Sequence, residues 1–228
     1  MNIENRLRES LQEKGNSFMS PPELKSKIMS NFTSTNGKWR KRLATGILAA
    51  ALLIPTGVFA SQSFLADDIY GSFEHLKKHI SKATMDGYML LSAKLSQAKG
   101  ELSSEEYNEF KELLNVVTSS KLQYGDPYGN IDYSQIPSEE AEQIKQALMC
   151  VQPYFDKLNG LQSSKETLSS DEYTAYIEAL MTYEEVLVKS NINPSEGPVE
   201  IENIPSNLQA EFMKAKDFIN YVDEKQIQ

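Results

Sequence analysis

The chain contains one long stretch without a charged residue, Leu43–Ala66, which reads LATGILAAALLIPTGVFASQSFLA. An α-helix rises ~1.5 Å per residue, so ~20 apolar residues are needed to cross the ~30 Å hydrocarbon layer of a membrane. The most apolar part, Leu43–Ala60, is marginal in length, and the continuation to Ala66 makes the stretch sufficient. We therefore predict a single transmembrane helix here.

The residues on both sides of this stretch predict its orientation. A basic run with one aromatic side chain stands directly before it: Lys38, Trp39, Arg40, Lys41 and Arg42. Asp67 and Asp68 follow it directly. Basic residues beside a span stay on the cytoplasmic side, and a neighbouring Trp suits the headgroup region. We expect residues 38–66 to form a basic flank and a span in contact with membrane lipid, with the N-terminus cytoplasmic and residues 67–228 extracytoplasmic.

Two other interpretations of the stretch remain open. It could be a buried helix of a soluble protein, although such helices rarely extend this far without a charge. It could be a signal peptide cleaved at the small-x-small sequence Val58, Phe59 and Ala60, although a secretory signal usually occupies only ~15–30 residues at the start of a chain. Pro55 removes one backbone donor, which membrane helices tolerate when neighbouring groups bind the freed carbonyl.

The net charge changes sign across the stretch. Residues 1–42 carry nine Lys and Arg against four Glu, a net charge of +5; because the whole chain carries −9, the remainder carries −14. Nucleic-acid-binding surfaces are basic, so we predict that this acidic domain does not bind nucleic acid directly. Cys150 is the only cysteine, so no disulfide can form within the chain. The outer domain must therefore be stabilised by its hydrophobic core alone.

Two short amphipathic helices are predicted in the tail, residues 1–37. Their apolar residues recur at helical spacing in two stripes: Ile3, Leu7 and Leu11, then Leu24, Ile28 and Phe32. The second stripe follows Ser20-Pro21-Pro22-Glu23, a helix-start sequence with a capping box. Helices of this length are marginal in water, so the stripes indicate a segment that folds against a cytoplasmic partner. A tail without fixed structure, or a helix lying on anionic lipid, would carry the same pattern.

Residues 67–228 have helical periodicity throughout, so we predict an all-α fold, a compact bundle of about five helices. A leading helix is expected from about residue 68 to 99, ending at Gly100. The sequence Leu102-Ser103-Ser104-Glu105-Glu106-Tyr107 then recurs 66 residues later as Leu168-Ser169-Ser170-Asp171-Glu172-Tyr173. In each copy the first Ser is the expected N-cap, and the Glu three residues later completes a capping box.

A second pair of sequences recurs at nearly the same offset. Ile136-Pro137-Ser138 and Ile204-Pro205-Ser206 each predict the start of another helix. We therefore expect an internal two-fold repeat, with units of about residues 102–160 and 168–226, each made of a helix, a long loop and a helix. Pro153 is expected to kink or break the helix that begins near Ser138.

No catalytic motif is found, and we predict that the chain is not an enzyme and uses no cofactor. His75 and His79 share a helix face at spacing i, i+4. A metal site needs about four ligands, which the neighbouring sequence does not supply, so we predict no metal site and a solvated pair. Cys150 stands between Met149 and Val151, which is typical of a buried core residue.

The loop that follows the first repeated helix is rich in tyrosine. Tyr124, Tyr128 and Tyr133 are candidates for an outer binding surface, because amphipathic aromatic residues on loops suit contacts with partners. Tyrosines packed within an ordinary turn are the alternative interpretation.

The order of these segments resembles that of a known group of regulators. The sequence Pro22-Glu23-Leu24-Lys25-Ser26-Lys27-Ile28-Met29, the basic run 38–42 and the span are similar to those of membrane-anchored negative effectors (anti-sigma factors) of extracytoplasmic-function sigma factors in Gram-positive bacteria. The outer part, with its repeated Leu-Ser-Ser-(Glu/Asp)-Glu-Tyr, resembles a helical domain of uncharacterised function found in such proteins. The tail has no Cys or His, which excludes the zinc motif that many anti-sigma factors use.

The resemblance implies different functions for the parts of the chain on the two sides of the membrane. The tail would hold a sigma factor through Leu24, Ile28 and Phe32, with the first stripe adding contact. The outer domain would sense an envelope signal, and site proteases would release the tail near Val58-Phe59-Ala60. The alternative function is a membrane-anchored or secreted helical module that binds a ligand or protein and has no role in transcription.

Overall fold

The computed structural model describes residues 64–193 and 198–227, and every regular element in these ranges is helical. The eight α-helices are α1 (Asp67–Tyr70), α2 (Phe73–His79), α3 (Met85–Glu101), α4 (Ser104–Tyr124), α5 (Ser138–Leu158), α6 (Ser164–Thr167), α7 (Ser170–Ser190) and α8 (Gln209–Gln226). Short 3-10 turns, Tyr133–Gln135 and Ile201–Asn203, precede α5 and α8. The predicted all-α class is confirmed for the described part of the chain.

The predicted leading helix is interrupted twice, so that prediction is wrong. Ser72 and Thr84 each begin a new helix, because their side-chain oxygens accept hydrogen bonds from the backbone N–H groups of His75 and Gly87. Such side-chain bonds compete with continuation of a helix. Gly71, at φ 75°, allows the turn between α1 and α2. The three helices α1–α3 therefore occupy the place of one.

The predicted helix starts at the repeated sequence are confirmed. α4 and α7 each begin with a capping box, formed by Ser103 with Glu106 and by Ser169 with Glu172, and each helix is 21 residues long. The second pair of starts is confirmed only once. α5 begins at Ser138, as predicted, whereas α8 begins only at Gln209. The residues before α8 form a turn first, in which the Leu208 N–H donates to the Pro205 carbonyl oxygen at 2.8 Å.

Pro153 does not break α5, which continues to Leu158. Proline has no N–H, so the carbonyl of Met149, four residues earlier, loses its helical partner. The hydroxyl of Tyr173 on α7 donates to that carbonyl oxygen at 2.6 Å. A hydrogen bond between helices thus replaces the one that the proline removes.

The main core lies between α3, α4, α5, α7 and α8. Its fully buried side chains include Leu95, Phe110, Tyr176, Ile177 and Ile219. A smaller cluster joins the end of α7 to the start of α8 and contains Val186, Leu187, Val199, Ile204 and Phe212. The long helices therefore bury their apolar stripes against one another, as the periodicity predicts.

The folded domain begins before Asp67. Ala66 is fully buried, its N–H donates to Ser92 Oγ at 3.1 Å, and the Phe64 ring packs edge-on against Tyr88 at 6.0 Å between centroids. The sequence prediction places these residues at the end of the span, and in the described structure they contact α3. The span itself stays a prediction. The predicted span up to Ser63, the tail and the basic run lie outside the described residues. Within the described residues, no helix combines the length and apolar character that crossing a membrane requires.

Candidate functional site

Charged side chains occur inside the helical bundle in two places. Lys121 and Glu184 are buried in one, and Asp156 and Asp223 are buried in the other. Burying a charge is unfavourable unless hydrogen bonds or an opposite charge compensate it. We call the two places the lysine cluster and the aspartate cluster, and their partners distinguish them.

The lysine cluster joins α4 and α7 to the loop between α4 and α5. Lys121 Nζ forms an ion pair with Glu184 Oε1 and donates to the carbonyl oxygen of Gly129 at 2.9 Å. Glu184 Oε2 accepts from the Tyr133 hydroxyl at 2.8 Å, and Oε1 accepts from the Ile131 N–H at 3.3 Å. Burial, together with the adjacent Glu184 charge, raises the pKa of Tyr133. Both charges are therefore compensated.

The loop around the lysine cluster is folded by its own side chains. Asp126 Oδ1 accepts from the N–H groups of Tyr128 and Asn130, at 2.8 and 2.9 Å. Gly129 has φ 86°, and a Cβ there would lie 2.9 Å from Ile80 Cδ1. Only glycine fits both the backbone conformation and the space.

The aspartate cluster contains a well-bonded carboxylate at the end of α5. Asp156 is fully buried, and its Oδ2 accepts from the N–H and the hydroxyl of Ser164, at 2.7 and 2.6 Å. Its Oδ1 accepts from Gln152 Nε2 at 2.9 Å. These three hydrogen bonds satisfy the buried carboxylate and fix the turn between α5 and α6.

Asp223 of α8 has a different environment. It is 5% exposed, and neither of its carboxylate oxygens has a hydrogen-bond partner among the described residues. The fully buried hydroxyl of Tyr176 likewise has no partner within that part of the chain. Burial, and secondly the charge of Asp156, raise the pKa of Asp223 to about 7. Burial and the two aspartates also raise the pKa of Tyr176.

The three tyrosines predicted as an outer binding surface are not equivalent. Tyr133 belongs to the lysine cluster and is a core residue, so it offers no exposed face. Tyr128 and Tyr124 are half-buried, and the Tyr124 hydroxyl bonds to Glu140. Tyr124 also lines a surface cleft of about 430 Å³ between α4 and α5, whose wall includes Val116 and Glu139. Only Tyr124 and Tyr128 remain candidates for contact with a partner.

His75 and His79 are exposed on α2, with ring centroids 4.8 Å apart. The Nδ1 atom of each lies near a backbone oxygen, that of Tyr70 at 2.9 Å for His75 and that of His75 at 3.1 Å for His79. Across residues 64–193 and 198–227, no three His, Cys, Asp or Glu side chains are grouped as metal ligands.

Cys150 is exposed on α5, so the prediction of a buried thiol is wrong. The buried stripe of α5 includes Ala147, Leu148 and Val151. Cys150 is off that stripe, and the helical periodicity could have shown this. The residues next to it in sequence were a misleading guide.

Sequence reasoning missed both buried clusters, although a signal was present. Glu184 stands at a position of the apolar stripe of α7, between Leu180 and Leu187. Asp223 follows Ile219 and Val222 on the buried stripe of α8. An acidic residue at a stripe position indicates a buried charge.

The remaining predicted site residues lie outside the described residues. These are the apolar tail stripes (Ile3, Leu7, Leu11, Leu24, Ile28 and Phe32), the basic run 38–42 and the cleavage sequence Val58-Phe59-Ala60. Their roles stay predictions.

Comparison with curated proteins found no match. A family described as a domain of unknown function, DUF3600, matches residues 63–225. The match begins one residue before Phe64, where the described domain begins, and it covers all eight helices except the last residue of α8. The chain therefore belongs to the DUF3600 family.

Proposed function

We propose that the chain is a single-pass membrane protein that negatively regulates an extracytoplasmic-function sigma factor. In this proposal residues 1–37 bind the sigma factor in the cytoplasm, and the helical domain senses an envelope signal on the other side. The observation that carries it is the order of segments. The uncharged stretch up to Ser63 follows a basic run and is followed directly by a folded acidic domain at Phe64.

The start of the domain supports a role in transmission. Asp67 accepts a hydrogen bond from the Tyr88 hydroxyl of α3, and Asp68 pairs with Lys111 Nζ of α4 at 2.9 Å. Together with buried Ala66, these contacts fasten the chain to two long helices just after the proposed span. A signal that rearranges α3 or α4 would therefore also move the segment that enters the membrane in this proposal. Transmission requires such a difference between the two states of the protein.

The proposed internal repeat is supported by corresponding elements. α4 and α7 have the same length and the same capping box, and a 3-10 turn stands directly before each Ile-Pro-Ser sequence. α4 packs against α5, as α7 packs against α8. A repeated helix pair would give the sensor two similar halves that share one hydrophobic core.

The sigma-factor role is tested by purifying the full-length chain from membranes and identifying the bound protein. We expect a sigma factor to co-purify with the wild type and to be lost with Leu24→Asp combined with Ile28→Asp, which places charges in the apolar stripe. Ser26→Asp with Ser30→Asp is the matched control, because it adds the same charges off the stripe. In cells the first pair should raise output from the sigma factor's promoter. Unchanged output, or a wild type that retains no sigma factor, contradicts the proposal.

The second candidate is a membrane-anchored or secreted binding module. The cleft beside Tyr124, with Val116 45% exposed on its wall, is the feature that favours it. This alternative predicts that deleting residues 1–37 is harmless if Lys38–Arg42 remain. Mass spectrometry of the mature N-terminus separates the anchored from the secreted form.

A further inference from the structure

We infer that Asp223 and Asp156 form a proton-binding site that controls how firmly the end of α8 docks on the bundle. The inference does not depend on the sigma-factor role, and nothing in the family description assigns a function to these residues. It is carried by the geometry of the aspartate cluster, where α5, α6, α7 and α8 meet.

The two carboxyl groups are close enough to influence each other but are bonded very differently. Asp156 accepts three hydrogen bonds from Gln152 and Ser164. Asp223 accepts none from the described residues, although it is 95% buried. When two carboxyl groups share a poorly solvated site, one of them retains its proton. The bonding pattern selects Asp223 as the group that is protonated.

No positive charge in the described domain compensates Asp223. On α7 and α5, the titratable groups that face it are Tyr176 and Asp156, neither of which is a cation. On α6, Ser164 is buried and bonded to Asp156, and the ionisable Lys165 and Glu166 are exposed.

Of the charged groups nearest to Asp223 in sequence, Glu224 is exposed and Lys225 is engaged elsewhere. On α8 itself, Lys225 pairs with Glu172 at 3.3 Å and lies over the Tyr221 ring. The 3-10 turn Ile201–Asn203 contacts the first turn of α8 through Gln209, so its exposed Glu202 is at the other end of the helix. Ionised Asp223 would therefore be a second buried negative charge beside Asp156.

The position of Asp223 indicates what its ionisation would move. One turn later, Gln226 Nε2 donates to the Gln162 carbonyl oxygen at 2.7 Å, and the Gln162 N–H donates to the Gln226 carbonyl oxygen at 3.4 Å. These two bonds tie the end of α8 to the loop between α5 and α6. Repulsion at Asp223 would act directly on this attachment, so loss of the proton should loosen the last turns of α8.

The sign of the pH dependence follows from the direction of the shift. Burial raises the pKa of Asp223 from its ordinary 3.8 to about 7. The folded state then binds the proton more tightly than the unfolded state. The stabilisation is complete below the ordinary pKa and is lost as pH rises through the raised one. An ordinary surface carboxylate gives no such loss in the neutral range.

The test measures thermal unfolding of the full chain in detergent micelles, by circular dichroism, from about pH 5 to about pH 8.5. We expect the midpoint of the wild type to fall by several degrees between about pH 5 and about pH 7.5 and then to level off, and Asp223→Asn to remove most of that fall. Asp217→Asn is the matched control, because Asp217 is an exposed aspartate on the same helix. It should keep the wild-type profile. Parallel profiles for the wild type and Asp223→Asn would overturn the inference.

A second measurement on the wild type keeps the test decisive if Asp223→Asn does not fold. Infrared spectroscopy should show the carbonyl stretch of a protonated carboxylic acid that disappears near neutral pH. Hydrogen exchange, corrected for intrinsic rates, should rise over residues 219–227 in the same range. Absence of a carboxylic acid band that titrates near neutrality would overturn the inference. A failed sigma-factor purification would leave both results unaffected.

Discussion

The lysine cluster and the aspartate cluster are both buried, but only the lysine cluster pairs its negative charge with a positive one. In the first, Lys121 and Glu184 neutralise each other, and Tyr133 and two backbone groups complete the bonding. In the second, two negative charges would face each other, and Asp223 has no partner in the described domain. A compensated pair can hold elements together at any ordinary pH, whereas an uncompensated acid holds them only while it keeps its proton.

We therefore assign a structural role to the lysine cluster and a pH-responsive role to the aspartate cluster. The lysine cluster fastens the loop between α4 and α5, and removal of either partner leaves a buried charge alone. The aspartate cluster attaches α8, and the proton concentration sets its strength.

Glu184→Ala should lower the free energy of unfolding by about 3–5 kcal/mol, because Lys121 would remain buried without a counter-charge. Chemical denaturation at neutral pH measures the loss. Replacing both partners, as Lys121→Met with Glu184→Leu, should recover most of the stability, since well-packed apolar residues often substitute for a buried ion pair. Glu178→Ala is the control, because Glu178 is exposed on the same helix and its pair with Lys145 is at the surface. Equal losses for Glu184→Ala and Glu178→Ala would contradict the structural role.

Tyr173→Phe should destabilise the domain by about 1 kcal/mol, because it leaves the partly buried Met149 carbonyl without a donor. The same change should have a smaller effect in a Pro153→Ala background, where alanine at position 153 supplies the missing N–H. A double-mutant cycle in denaturant measures the coupling. This neutral hydrogen bond should show no change between about pH 6 and about pH 8, unlike the aspartate cluster. A coupling energy of zero would show that the two residues act independently.

Ser103→Ala and Ser169→Ala should each reduce stability by about 1 kcal/mol, through loss of an N-cap. Thermal unfolding of both variants beside Ser104→Ala, which is not an N-cap, isolates the capping contribution. Similar losses in the two variants would support corresponding roles for α4 and α7. A loss confined to one variant would weaken the proposed repeat.

The smallest effect is expected at the acid end of the pH range. The Ser169 N–H and hydroxyl, with Tyr221 and Lys225, lower the pKa of Glu172 to about 2 from an ordinary 4.5. A lowered pKa contributes stability above the ordinary value, and that contribution is lost as pH falls through about 2. Glu172→Gln should flatten the unfolding profile between about pH 4.5 and about pH 2 without altering the neutral range. A change near neutrality instead would mean that Glu172, and not Asp223, dominates the response.

Short sequence motifs predicted where the long helices begin better than they predicted the breaks between α1, α2 and α3. The capping boxes at Ser103 and Ser169 depend on residues within four positions, so the sequence identified them directly. The breaks at Ser72 and Thr84 use the same chemistry, but the apolar periodicity across them obscured both starts. Pro153 does not break α5, and sequence alone could not show this because the compensating hydrogen bond comes from Tyr173, a residue on another helix.

The candidate sites could be predicted only in part, because burial of a polar group depends on tertiary packing. Tyr133 is buried, which fits the alternative of a packed tyrosine and not that of a binding surface, whereas Cys150 is exposed and was expected to be buried. The pairing of Lys121 with Glu184 spans 63 residues, and no local pattern specifies it. Asp223 was detectable as an acid on an apolar stripe, but its lack of a partner required the packed structure.

The central claim, a helical domain held outside the membrane by the stretch before Phe64, is tested most directly by labelling Cys150. This residue is exposed and is the only cysteine, so no engineered reporter is needed. Intact cells are treated with a membrane-impermeant maleimide, with a permeant maleimide and Cys150→Ser as controls. We predict that the impermeant reagent labels Cys150 without lysis. Labelling by the impermeant reagent only after lysis would place the domain inside the cell and contradict the account.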